Sequence, residues 1–356
     1  MQRRNAMLIQ IVLFDGFDLM DALAPYEVFS AAEMYTNGAL AVELVTAEGA
    51  RLVESGINGL KIPASGKLNP ERANLILVPG ASGKVTGDGP DSIPAILRKT
   101  METELLNFIQ QAFDKPGVTV ATVCGGSVLL AMGGLLEGRH AVTHHLGMDV
   151  LGAAGAIPVT ARVVDDGNLV TGGGVTSGLD VALYLVEREL GPQIAHAVEK
   201  LFEYERRGTV WHAKGLTPIT NNSQTVSSME PSVSMLLDES LQRENAFSNV
   251  SIFDGTWNTE IYTPIGKLSV ILNILTKNGH LQGTAKQGDE VVEFIDPVVD
   301  GNHLSWSQRV TKPMRLNLKF EVTVNGNIMT GTAKAGVLPA SKIIGNRISE
   351  TNKLNA

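Results

Sequence analysis

The segment VTVATVCGGSVLLA, residues 118–131, carries the chain's single cysteine. It sits where a β-branched run gives way to two glycines and an apolar helical stretch. Strand, tight turn, nucleophile, helix is the order of a nucleophile elbow, in which a sharp turn lifts one side chain to the carboxyl edge of a sheet. Gly125 and Gly126 allow close backbone packing at that turn. A helix N-terminus behind Cys124 is expected to lower the thiol pKa and to supply N–H donors. A lone cysteine in an arbitrary position is more often a small buried hydrophobe. The strand-end position favours catalysis for Cys124.

A nucleophilic thiolate needs a proton partner and a place for developing negative charge. The segment FDGFDLMDALAPYEVF, residues 14–29, follows an apolar run and carries Asp15, Asp18 and Asp21. Carboxyl ends of neighbouring strands in an open α/β sheet share one crevice, so one of these acids is expected to face Cys124. Asp21 is the choice, because it directly precedes an apolar helix start. The other two read as solvated loop acids or a helix cap, with Asp18 kept as a pocket candidate. LVPGAS, residues 77–82, ends another run, and Gly80 and Ala81 there form a turn that reads either as half of an oxyanion hole or as an ordinary turn. His144 and His145 end AVTHH, residues 141–145. They suggest a Cys–His dyad or a plain loop pair, and no third ligand stands at helical spacing to hold a metal. TGGGVTSGLD, residues 171–180, lacks the spacing of a dinucleotide or P-loop site. It reads as close packing against the crevice, with Thr176 a pocket candidate.

The elements that must position these groups alternate from residue 1 to about 205. Strand-like runs are expected at 8–14, 41–46, 75–78, 118–123, 141–143, 161–165 and 169–171, several of them apolar without alternation, as in a parallel sheet covered on both faces. Helices are expected at 25–34, 92–113, 127–132, 177–190 and 192–205. The alternation predicts a flavodoxin-like three-layer α/β/α sandwich with a mostly parallel sheet, spanning residues 1–215. Residues 216–250 read as a linker followed by one connecting helix. Residues 251–350 read as an all-β domain. Short alternating runs are split there by Asn278–Gly279, Asp300–Gly301 and Asn325–Gly326, which are hairpin signals. GTAKQG at 283–288 recurs as GTAKAG at 331–336, an internal repeat that suggests two halves of about four strands and a small barrel, with a flat sandwich as the alternative.

Length and composition bound the function. The chain has 356 residues, a length that suits about two domains, and 44% hydrophobic with 19% charged residues argues for an ordinary globular protein. A net charge of −8 argues against nucleic acid as a partner, and from residue 250 on 11 Lys+Arg stand against 9 Asp+Glu, so the β-domain is not a basic module either. No apolar run has the length of a membrane helix, and residues 7–14 read as a buried strand and not a signal peptide. One cysteine excludes an intramolecular disulfide framework and a multi-Cys zinc site and fits a reducing cytosol.

Five segments in order (DALAPYEVF, LVPGAS, TVCGGSVLLAMGGLLEGRHAVTHH, VVDDGNLVTGGGVTSGLD and LFEYE) resemble the PfpI/ThiJ superfamily, with its class I glutamine amidotransferase-like fold, over residues 7 to about 215. LLEGRHAVTHH followed by GNLVTGGGVTSGLDVAL looks most like the isonitrile hydratase branch and the sensor domains of AraC-type regulators. The resemblance implies a cofactor-free cysteine enzyme, a homodimer, that acts on a small molecule, adding water to an isonitrile to give an N-substituted formamide, the Cys124 thiolate attacking to form a thioimidate and Asp21 supplying the proton. It makes Cys124 the nucleophile, Asp21 the acid that hydrogen-bonds the thiolate, and the N–H groups of Ala81 and Gly125 the oxyanion donors. It gives His144 a place near the cysteine without the alignment of a general base. It also implies other Cys-dependent chemistry, hydrolysis or glyoxal hydration, or ligand sensing, as alternatives. Two positions depart from the branch: Gly125 stands where Thr is usual, and Ala81 where Gly is usual. The β-domain lies outside the usual architecture.

Overall fold

The computed structural model describes residues 6–87, 89–216, 251–263, 266–277, 279–310, 316–335 and 340–348. Two separate hydrophobic cores form, one among residues 9–198 and one among residues 253–343. The expected connecting helix falls outside the described residues.

The first core surrounds an eight-stranded sheet. Its five principal strands are parallel and run in spatial order Leu40–Thr46, Met7–Val12, Leu75–Val78, Thr119–Val123, Leu169–Gly172. Numbered along the chain this is 2-1-3-4-5, the flavodoxin-like order, whose switch point lies between the first and third strands. Leu75–Val78 is buried at every position because helices cover both faces of the sheet. Gly66–Lys67 extends one edge. The other edge carries Val163–Asp165, antiparallel to Leu169–Gly172, and then Trp211–His212.

Several boundaries differ from expectation for local reasons. The first helix is Leu19–Tyr35, beginning six residues before the expected start, because Asp18 caps it with Oδ1 accepting from the Met20 and Asp21 N–H groups. Pro25 therefore sits inside the helix and packs beside Gly178, where a Cβ would come within 3.2 Å of the proline ring. The expected single helix over 92–113 is two, Ile93–Met101 and Leu105–Asp114. The hairpin of Arg51–Glu54 with Lys61–Ala64 and the helix Met148–Ala153 were not expected. Both are short elements with weak periodicity.

The second core fills a nine-stranded antiparallel sheet, where about eight strands were expected. With one exception each strand pairs with the next, and the last, Ser341–Arg347, pairs back onto the first, Gly255–Thr263. The ring is open only between Glu290–Glu293 and Ile295–Asp300. Phe294 N–H donates to Gly283 O (2.8 Å), continuing the ladder on one side of this gap, and Gln308 Nε2 donates to Val292 O (3.2 Å) across it, leaving a nearly closed barrel. Phe294 breaks the run that sequence joins, and this accounts for the ninth strand. Gly301 and Gly326 hold positive φ of 60° and 59° in hairpin turns where their signals lie, while Asn278 falls outside the described residues.

Candidate active site

The switch point between Met7–Val12 and Leu75–Val78 brings the loop bearing Asp15 and Asp18 beside the turn at Gly80. Asp18 N–H donates to Gly80 O (2.9 Å) and Ser82 N–H to Gly16 O (3.0 Å), so the two loops are laced together, and neither bond uses the Ala81 N–H. Cys124 follows the next strand, Thr119–Val123, and its φ is 54°. A non-glycine residue in the left-handed region is strained, and at a strand–helix turn this strain is the signature of an elbow nucleophile.

Three surrounding groups hold that strained backbone. Cys124 N–H donates to Gly172 O (3.1 Å), and Thr143 Oγ1 donates to Cys124 O (2.6 Å). Ser127 Oγ donates to Val142 O (2.7 Å) and pairs with Thr122 Oγ1 (2.6 Å), fixing the helix Gly126–Met132 to the strands on either side. Glycines allow the close approach. A Cβ on Gly80 would stand 2.5 Å from Gly125 N and 2.8 Å from Asp21 Oδ2, and one on Gly126 would stand 2.3 Å from Val78 O. Gly125 differs. Its φ is −64°, and a Cβ there meets nothing closer than 3.4 Å.

The three acids separate into three roles. Asp15 is half exposed and pairs with Arg51 (2.7 Å). Asp18 caps the first helix and also borders the cavity beside Cys124. Asp21 is fully buried in the helix's first turn, not ahead of the helix as expected. Its Oδ2 accepts from Gly80 N–H (2.9 Å), while its Oδ1 has no oxygen or nitrogen partner among the described residues. The carboxyl couples directly to the Cys124 thiol.

Burial dominates the electrostatics of that pair. It pushes the Asp21 carboxyl up to about 8, with the Asp18 charge adding to the rise and the Gly80 N–H and the thiol opposing it. Burial, followed by the Asp21 charge, also pushes the Cys124 thiol well above its ordinary value, and the Gly125 N–H pulls back against this. This burial opposes the lowering expected from the helix behind the thiol, which has only seven residues. Burial thus favours the neutral form of both members of the pair.

His144 borders the same cavity, but no hydrogen bond joins it to Cys124 among the described residues. Its Nδ1 accepts from Leu146 N–H (3.3 Å), and burial together with the neighbouring His145 lowers its pKa, so the ring is neutral at pH 7. Thr176 does not border the cavity. Its Oγ1 accepts from Arg162 Nη2 (2.9 Å), and Val175 takes the wall position instead. Thr143, which holds the elbow carbonyl and borders the cavity, was missed in AVTHH because the two histidines draw attention first. The geometry sets a strained thiol beside a buried carboxyl, with the Ala81 and Gly125 backbone on the same cavity.

The chain is 36% identical over 202 residues to an isonitrile hydratase from Pseudomonas putida, covering 56% of this chain and 79% of that protein. It is 27% identical over 194 residues to the helix-turn-helix transcriptional regulator CdhR of Pseudomonas aeruginosa, covering 54% of this chain and 53% of the regulator. Among solved structures, a ThiJ/PfpI family protein from Pseudomonas syringae matches with a TM-score of 0.48 and 27% identity, over 57% of this chain and 77% of that one. The DJ-1/PfpI family pattern matches residues 7–188, just over half of the sequence, and the chain belongs to the DJ-1/PfpI family.

Proposed function

We propose that the protein is a cysteine-dependent, cofactor-free enzyme that hydrates an isonitrile to an N-substituted formamide. The observation that carries this reading is the buried Cys124–Asp21 pair at a strained elbow, where burial favours the neutral form of each. An isonitrile carbon must gain a nucleophile and a proton together, and such a pair supplies both. Cys124 Sγ bonds to the terminal carbon while the Asp21 proton passes to that same carbon and the thiol proton returns to Asp21. The product of this step is a thioimidate, R–N=CH–S–Cys124. Water then adds to its C=N bond with Asp21 relaying the proton, the C–S bond breaks, and R–NH–CHO leaves with the thiol restored. In this reading the Ala81 and Gly125 N–H groups hold the oxygen of that water as charge develops on it, supported by both residues bordering the cavity. The relative named isonitrile hydratase supports the substrate class.

The test is turnover of an alkyl isonitrile, read as formamide by NMR, with intact-mass detection of the adduct. Wild type forms both, with activity falling as pH rises through about 8 and Asp21 loses its proton. Cys124→Ala forms neither. Full activity in Cys124→Ala overturns the proposal. Ligand sensing is the second reading, favoured by the regulator relative. Binding of the isonitrile without turnover or adduct selects it.

A further inference from the structure

The cavity beside Cys124 does not end in the α/β domain. It has a volume of about 520 Å³ and runs from Cys124 and Gly125 into the barrel, where Val270, Leu272 and Phe320 border it. The two domains meet at the barrel rim. Arg309 Nη2 pairs with Glu137 (3.0 Å), and Leu316 packs on the first core. Every barrel residue on the cavity lies toward this rim. The opposite end is filled by Trp257, Leu304, Trp306 and Met329, all buried and none bordering the cavity. Trp306 stacks between Phe294 (4.3 Å) and Phe320 (4.7 Å), forming a floor. The lumen is therefore a blind tube, open at the reactive thiol.

The internal repeat makes the room. Ala285 and Ala333 occupy the same position in the two GTAK copies, and both border the lumen. The repeat glycines let neighbouring groups close in behind them. A Cβ on Gly283 would lie 2.3 Å from the Phe294 ring, and one on Gly331 would lie 2.1 Å from Glu321 O. Small residues hold a space open where a barrel of this size is commonly filled by its own side chains. Of the two amides on the barrel part of the cavity, Gln287 and Gln308, the latter donates to Val292 O, and the walls beyond them are apolar at Leu272, Ala285 and Phe320.

From this we infer that the barrel lumen is the tail pocket of the Cys124 site, and that the substrate carries its reactive carbon at the end of an extended, unbranched alkyl chain. The inference rests on the reading of Cys124 as the reacting group. The lined part of the tube is about 13 Å deep, from four residues of strand rise between Leu268 and Leu272.

The test is a homologous series from n-butyl to n-hexadecyl, run on the full chain in two forms. Primary alcohols and N-alkylformamides, which do not react, are measured by calorimetry, and isonitriles by formamide release. Affinity and kcat/KM should each rise about four-fold per methylene, then level off once the chain meets the Trp306–Phe320 floor. Ala333→Phe should cancel the rise for long chains and leave butyl turnover unchanged. Ala285→Leu, a smaller intrusion, should move the plateau to shorter chains. Alcohol affinity that climbs while no isonitrile is turned over removes the assigned reaction and keeps the tail pocket. Formamide production with a length-independent kcat/KM and affinity removes the tail pocket and keeps the reaction.

Discussion

Replacing Asp21 by Asn should make the α/β domain more stable at alkaline pH while abolishing turnover. Asp21 is fully buried, and its carboxyl is raised from 3.8 to about 8. In the unfolded chain it titrates near 4, so between about pH 4 and pH 8 the folded state binds a proton that the unfolded state lacks. Stability then falls as pH rises across that window, by up to about 1.4 kcal/mol per pH unit. The sum at pH 8 is on the order of 5 kcal/mol, an upper bound because the coupled Cys124 thiol shares the ionisation. Asn has the same shape, keeps an oxygen to accept from the Gly80 N–H, and does not ionise. Urea unfolding of wild type and Asp21→Asn from pH 5 to 8.5 is the assay, with the difference between them as the readout. It should be smallest at pH 5 and grow steadily in favour of Asn toward pH 8. A difference independent of pH would mean that the buried carboxyl is ionised in the folded protein throughout, and the neutral-pair mechanism would fail with it.

The glycines of the elbow should divide into two groups under thermal unfolding. Gly80→Ala and Gly126→Ala force a Cβ against backbone atoms and should each cost several kcal/mol or prevent folding, on the scale of overpacked cores. Gly125→Thr places its Cβ in ordinary contact at an unstrained φ and should change stability by less than about 1 kcal/mol; a collapse of that variant would disprove the steric assignment. Thr143→Val removes the hydroxyl that donates to Cys124 O. It should cost about 1–3 kcal/mol by leaving a buried carbonyl unpaired, and lower turnover with little change in substrate affinity.

Much of the α/β domain was legible because its strands are buried on both faces and so are written as unbroken apolar runs, as at Leu75–Val78. The strand–Cys–Gly–Gly–helix order was legible for a similar reason, since few other arrangements use a β-branched run, two glycines and an apolar helix in succession. Asp21 was chosen for a boundary that the structure moves: the cap at Asp18 pulls the helix start forward and turns a supposed flank residue into a first-turn residue. Thr176 was misplaced because a loop of three glycines does not reveal which neighbouring side chain faces inward, and Arg162 claims the hydroxyl from 14 residues away. Hairpin glycines at 301 and 326 were read from dipeptides that encode positive φ directly. The ninth strand was not, because Phe294 ends one strand by a contact with Gly283, which nothing local to residues 290–300 announces.

The meeting of barrel and crevice could not be read from sequence, since Glu137 and Arg309, which pair across it, lie far apart along the chain. It also changes how the chemistry must be understood. A cysteine beside a helix N-terminus suggests a ready thiolate, and a thiolate is favoured by water and by positive charge. Here the cavity beside Cys124 is walled by apolar side chains from both domains, and no cation accompanies the thiol among the groups that shift it. The same dryness raises Asp21 and Cys124 together. On the proposed reading, burial of this kind favours passing proton and nucleophile from a neutral pair over storing negative charge on sulfur. Apolar walls that accept an alkyl tail and a relay that avoids free charge are then two consequences of one enclosure.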